Sequence, residues 1–156
     1  MKFDLEILLS DIKALMISKL NTKISSINTE KNDSIILKTV SDSAYFLDMD
    51  DQAANYDPVI LYSITDIQSQ GIGPRTSKSV TINIALILSD DGIVPFIVNR
   101  MLRYGRCLSE IFEENWKYSR AVSDFKVQAL PVLSFQKSDS SENYKVVGID
   151  LITSYA

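Results

Sequence analysis

The sequence predicts an α+β domain: an antiparallel or mixed β-sheet flanked by two main amphipathic helices, in the order helix, strands, helix, two strands. Three observations predict it. Leu5, Leu8, Leu9, Ile12, Leu15, Met16 and Leu20 recur at the three-and-four spacing of one helical stripe. SVTINIALIL alternates, with Val80, Ile82, Ile84, Leu86 and Leu88 on one side and Thr81, Asn83, Ala85 and Ile87 on the other. Helical spacing then returns at Ile97, Met101, Tyr104, Leu108, Ile111 and Phe112, before two further strand-like segments close the chain.

The first helix is placed at about residues 3–21, fraying toward Ile27. Asp4 and Glu6 in its first turn, and Lys19 and Lys23 near its end, complement the helix dipole. NTEKNDSIILKTVSDS reads as a polar connection with a short strand at Ile35 to Lys38, and AYFLDM as a second short strand. DDQAANYDP is a turn or a single helical turn, with Pro58 holding Asp57 extended. PVILYSITDI is apolar on both faces at its start, as a central strand would be. Between it and SVTINIALIL lies a long hairpin loop at about 68–79, with Gly71, Gly73 and Pro74 as turn residues.

SDDGIVPF reads as a helix start, capped by Ser89, Asp90 or Asp91, with Pro95 in the first turn and Val98 and Leu102 widening the buried stripe. In DFKVQALPVLSFQK the residues Phe125, Val127, Ala129, Leu133 and Phe135 share one parity, and Pro131 implies an edge position or a bulge. In YKVVGIDLITSY the inward residues are Val147, Ile149, Leu151 and Tyr155. Residues 1–156 read as a single domain without an internal repeat.

The apolar fraction of 46% and charged fraction of 23% suit a globular domain long enough to build a core. A net charge of −4 weighs against a duplex-gripping protein, whose affinity rests on phosphate neutralisation. The one cysteine, Cys107, permits no internal disulfide. The opening MKFDLEILLSDIKALM carries charges at Asp4, Glu6, Asp11 and Lys13, unlike a secretory signal. No apolar run approaches the roughly 20 residues that span a bilayer, so no membrane partner is expected.

The templates for catalysis find little. With no histidine the chain lacks the commonest general base and metal ligand. Cys107, flanked by apolar helix positions, reads as a buried inert thiol. Asp48, Asp50 and Asp51 lack the glycine and distal glutamate of a calcium loop and read as a solvated corner. GIGPR joins two strands rather than a strand and a helix, so it is no phosphate cradle. No enzyme activity, metal or cofactor is expected. The loop's Ile72, Arg75 and Lys78 suit either a mobile tip or an arm that reaches a neighbouring subunit.

Arg100, Arg103 and Arg106 advance by three and sweep about 120° of helix surface. With Glu110 four residues beyond Arg106 and Lys117 four beyond Glu113, they fit a solvated, ion-paired face. They equally fit contact with an acidic surface of another subunit, because arginine favours interfaces.

In layout the chain resembles the tail-terminator, neck and tail-completion proteins of tailed bacteriophages. The resemblance is carried by the opening EILLSDIKALMISKL helix, the PVILYSITDI and SKSVTINIALILSDD strands, the RYGRCLSEIFEEN helix after an acidic SDDG turn, and the Val-x-Ala-x-Pro pattern at Val127 to Pro131. It covers nearly the whole chain, with 21–43 more Asn/Ser-rich than such members. It implies a structural virion protein in the head–tail connector, assembled in the host cytoplasm. Such a protein forms a ring, usually a hexamer, that caps the tail-tube protein, meets a neck or head-closure protein, and lets genomic DNA pass through its lumen without specific binding. The alternatives are a head-side neck protein or a small non-enzymatic protein-binding domain.

Overall fold

A computed structural model describes residues 4–48, 52–71, 77–90, 92, 94–115, 117, 119, 124–136 and 143–155. Among them are helices α1 (Leu5–Lys31) and α2 (Ile97–Glu114), a 3-10 turn (Ala53–Asn55), and strands β1 (Tyr45–Phe46), β2 (Val59–Gln70), β3 (Ser77–Asp90), β4 (Asp124–Ala129), β5 (Leu133–Gln136) and β6 (Asn143–Tyr155). The sheet is mixed and six-stranded, in the order β1-β2-β3-β6-β4, with β5 also on β6. β1 runs parallel to β2, and every other pairing is antiparallel.

Helix α1 starts where Asp4 accepts hydrogen bonds from the backbone N–H groups of Glu6 (2.9 Å) and Ile7 (3.3 Å). It ends at Asn32, whose left-handed φ of 46° closes the last turn through Asn28 O. It thus ends ten residues beyond residue 21 and four beyond the expected fraying at Ile27, and the physical reason lies in its stripe. Leu8, Ile12, Met16, Leu20 and Ile24 are all fully buried. Every fourth residue advances about 40° around a helix, so the buried line spirals instead of marking one face. The polar NTEK end of the helix is where that spiral defeats a periodicity reading.

Residues 33–40 form no strand, contrary to the expectation for Ile35 to Lys38. Two α1 side chains do a strand's work for this extended segment. Asn28 donates to Leu37 O (3.1 Å) and accepts from Leu37 N (2.9 Å). One heptad earlier, Asn21 binds Val40 O and Val40 N in the same way, both at 2.8 Å. Leu37 and Val40 are thereby held in the core.

The buried stripes of both helices join one cluster with Ile60 and Tyr62 of β2, alternate residues Val80 to Leu88 of β3, and Val147, Ile149 and Leu151 of β6. Both helices therefore cover the same sheet face. The inward parity of β6 agrees with the sequence; the side chain of Tyr155 lies outside the described residues. At Gly105 α2 lies close against β6: an added Cβ would meet Val147 Cγ2 at 2.9 Å. Within the sheet, a Cβ on Gly148 would lie 2.5 Å from Ile84 O. A smaller cluster of Ala53, Val59 and Ile87, with Phe46, Tyr56, Leu61, Tyr144 and Val146 packed on it, occupies one end of the opposite face.

Three further expectations are corrected. Ser89 and Asp90 belong to β3 and do not cap α2; the cap position is Phe96, with a left-handed φ of 55° and no side-chain bond, while Asp91 lies outside the described residues. Val98 and Leu102 do not widen the buried stripe, being 47% and 60% exposed. The shared parity of Phe125 to Phe135 also breaks. Ala129 faces Ile149, but Leu133 faces Val146, so four residue steps on the β4–β5 side match three on β6. The extra residue is a bulge around Pro131, and it turns Leu133 and Phe135 to the sheet face away from the helices.

Two substitutions test this packing. Asn28→Ala leaves a part-buried N–H and C=O of Leu37 unmatched and is expected to lower unfolding free energy by about 1–3 kcal/mol in urea titrations. Gly148→Ala forces the β3–β6 backbones apart and is expected to lower it by about 1–3 kcal/mol.

Candidate functional site

The arginines sit on the α2 face that meets the end of α1. Arg106 makes a bidentate pair with Glu30 (3.0 and 2.9 Å) and bonds Glu110 at 2.8 Å. Arg103 makes a bidentate pair with Asp33 (2.9 and 2.5 Å) and donates to Ile35 O at 2.8 Å. Arg100 donates to Pro95 O at 3.0 Å and to Ile36 O. The arginines climb in steps of three while Glu30, Asp33 and Ile36 descend in steps of three, which requires antiparallel chain directions. Lys23 extends the seam to Glu110 (3.3 Å) and Glu114 (2.6 Å). Beside the ladder, Tyr104 donates its hydroxyl to Lys38 O at 2.8 Å.

The acidic surface that Arg103 and Arg106 meet is therefore in their own chain. Of the two readings of these arginines, the hydrogen bonds within the chain supply an ion-paired face: Arg100 and Arg103 fasten the crossing from α1 to β1, and Arg106 ties the end of α1 to α2. The sweep across the helix has its reason here too, because residues 33–36 leave the helical path and the arginines follow them.

The electrostatics agree. The Arg103 hydrogen bonds hold the Asp33 carboxyl down to about 2. Arg106 lowers both Glu30 and Glu110 by hydrogen bonding, and the bond to Glu114 is the largest cause raising Lys23. Burial pushes the Cys107 thiol up to about 12, which leaves almost no thiolate near neutral pH.

Of the hairpin residues, Lys78 is exposed in β3 opposite Ser69, and Ile72 and Arg75 lie outside the described residues. The loop expected at 68–79 is shorter: Gln68, Ser69 and Gln70 pair with Ser79, Lys78 and Ser77, leaving 71–76 as the connection. From Thr65 to Ser69 every residue of β2 is exposed, with Ile67 at 52%. β1 reaches only Ile60 and Leu61, so from Tyr62 to Gln70 β2 pairs with β3 on one side, and among the described residues no strand lies on its other side. At the other end of the sheet β4 is likewise the last strand of the order.

No group of histidine, cysteine, aspartate or glutamate able to hold a metal occurs among the described residues. Asp48 is exposed, and Asp50 and Asp51 lie outside them. A cavity between Lys38, Asp57, Leu88, Ser89, Val94, Arg100 and Tyr104 measures about 30 Å³, the share of one water molecule in the liquid. No described helix is long and apolar enough to cross a membrane. The chain matches no protein-family model and no curated relative.

The seam makes stability pH-dependent in one direction. The Asp33 carboxyl is lowered from 3.8 to about 2, so its pairing stabilises the fold fully above the ordinary value and is lost as pH falls through about 2. The melting temperature is expected to drop across that window. In Arg103→Gln the slope flattens and Asp33, followed by carboxyl NMR, titrates near its ordinary value.

Proposed function

We propose that this chain is the subunit of a non-enzymatic ring, a hexamer on the family resemblance, that caps the tail tube of a tailed bacteriophage and joins it to the neck. The observation that carries this reading is the far half of the β2–β3 hairpin. Its β2 strand continues from Thr65 to Ser69 with every residue exposed, including the apolar Ile67. A long, two-stranded extension with an uncovered apolar side chain suits an element that is completed in an assembly. The α+β layout supports the same reading through its likeness to tail-terminator and neck subunits. On this reading the negative average charge keeps the lumen from holding the DNA that passes through it. The site of action is the head–tail connector of the virion.

Light scattering on the purified protein, then negative-stain imaging with and without tail tubes, tests the proposal. Rings, or caps on tube ends, are the expected outcome. A monomer that ignores tube ends would overturn it. Replacing 71–76 by a two-residue Asn-Gly turn is expected to leave the melting temperature unchanged and to weaken assembly.

A further inference from the structure

Among the described residues β2 beyond Leu61 and β4 form the two outer edges of the sheet, and these edges match each other. β2 is antiparallel to β3, β3 to β6, and β6 to β4, so β2 and β4 run in opposite directions at opposite ends of the sheet. Copies arranged around an axis along the strands keep their strand directions. The β4 of one copy would therefore lie antiparallel to the β2 of the next, the commoner of the two ladder types.

The side chains match as well. Asp66 faces Thr81, Thr81 faces Ile152, and Ile152 faces Lys126, so one row across the outer face begins at an acid and ends at a base. By the same register Ser63 and Gln128 end one row, and Ile64 and Val127 end another on the helix-covered face. Continuing the sheet into a second copy sets charge against opposite charge, polar against polar and apolar against apolar. The Thr65 bulge is the one residue that this register skips. Neither Tyr62 to Gln70 nor Asp124 to Ala129 contains a proline; in the single chain the Phe125 N–H donates to Asp124 Oδ1 at 2.9 Å.

We infer that the occupant of the β2 edge is the β4 edge of a second copy of this chain, joined head to tail so that one sheet runs through successive subunits. This inference rests on the ring reading and specifies its interface. A head-to-tail interface of this kind propagates from copy to copy instead of stopping at a dimer, and gives a ring when its rotation closes.

The test is a cysteine pair. Within one chain Asp66 and Lys126 are three strand spacings apart, about 14 Å, beyond the roughly 7 Å reach of a disulfide. Both positions are exposed, so Asp66→Cys with Lys126→Cys is compatible with folding, checked by circular dichroism. Under mild oxidation the double variant is expected to give a ladder of covalently linked chains, and neither single variant any. Rings by light scattering without that ladder would overturn the edge pairing and leave the ring reading standing. A linked dimer from Asp66→Cys alone would overturn it in favour of a two-fold β2 contact. Monomers under all conditions, tubes included, would overturn both. Hydrogen exchange on the unmodified chain gives an independent readout: amides of Tyr62 to Gln70 slow by about tenfold or more on assembly, and unchanged exchange counts against the pairing.

Discussion

The constraint that governs this molecule is that both helices lie on one face of the sheet. That face must be apolar along its whole length, and Val80 to Leu88 and Val147 to Leu151 supply it with unbroken alternation. Among the described residues the other face is covered by the segment around Ala53, at one end. It is apolar there and polar beyond, where Asn83 and Asp150 pair across the strands at 3.0 Å. The helices also leave the rims of the sheet to themselves.

Placing a 27-residue helix over that face creates a second problem, since the chain must return from its far end to the first strand. Hydrogen-bonding side chains solve it. Asn21 and Asn28 receive the returning backbone from one side; Arg100, Arg103 and Tyr104 receive it from the other, and Arg106 holds the end of α1 through Glu30. The charged seam is thus a fastening for an irregular segment, and its bidentate geometry is what arginine provides and lysine does not.

This explains which parts of the fold were legible in the sequence. The β2, β3 and β6 strands and the α2 stripe follow from periods of two and 3.6, because each packs one constant face. The end of α1 was hidden because its buried line spirals and its last turns are Asn- and Ser-rich. The 33–40 segment looked like a poor strand because its ladder partners are side chains, which no backbone pattern announces. The arginine triplet was visible, but its partners were not. Glu30 and Asp33 stand more than 60 residues away and become neighbours only when the helices run antiparallel. The matched edges were invisible for a similar reason, as they depend on a register across four strands.

Pro131 was legible as a break, yet its larger effect is on the sheet as a plate. By inserting one residue it puts the two half-strands beside β6 out of phase. Leu133 and Phe135, 59% and 43% exposed, consequently join Tyr144 on the outer face, where the Phe135 and Tyr144 rings stack at 5.1 Å. The plate acquires a dry end and a wet end, and so a polarity along the strands that backbone hydrogen bonding alone would not impart. Copies laid side by side in one direction would align their dry ends into a continuous band, and a copy inserted upside down would interrupt it.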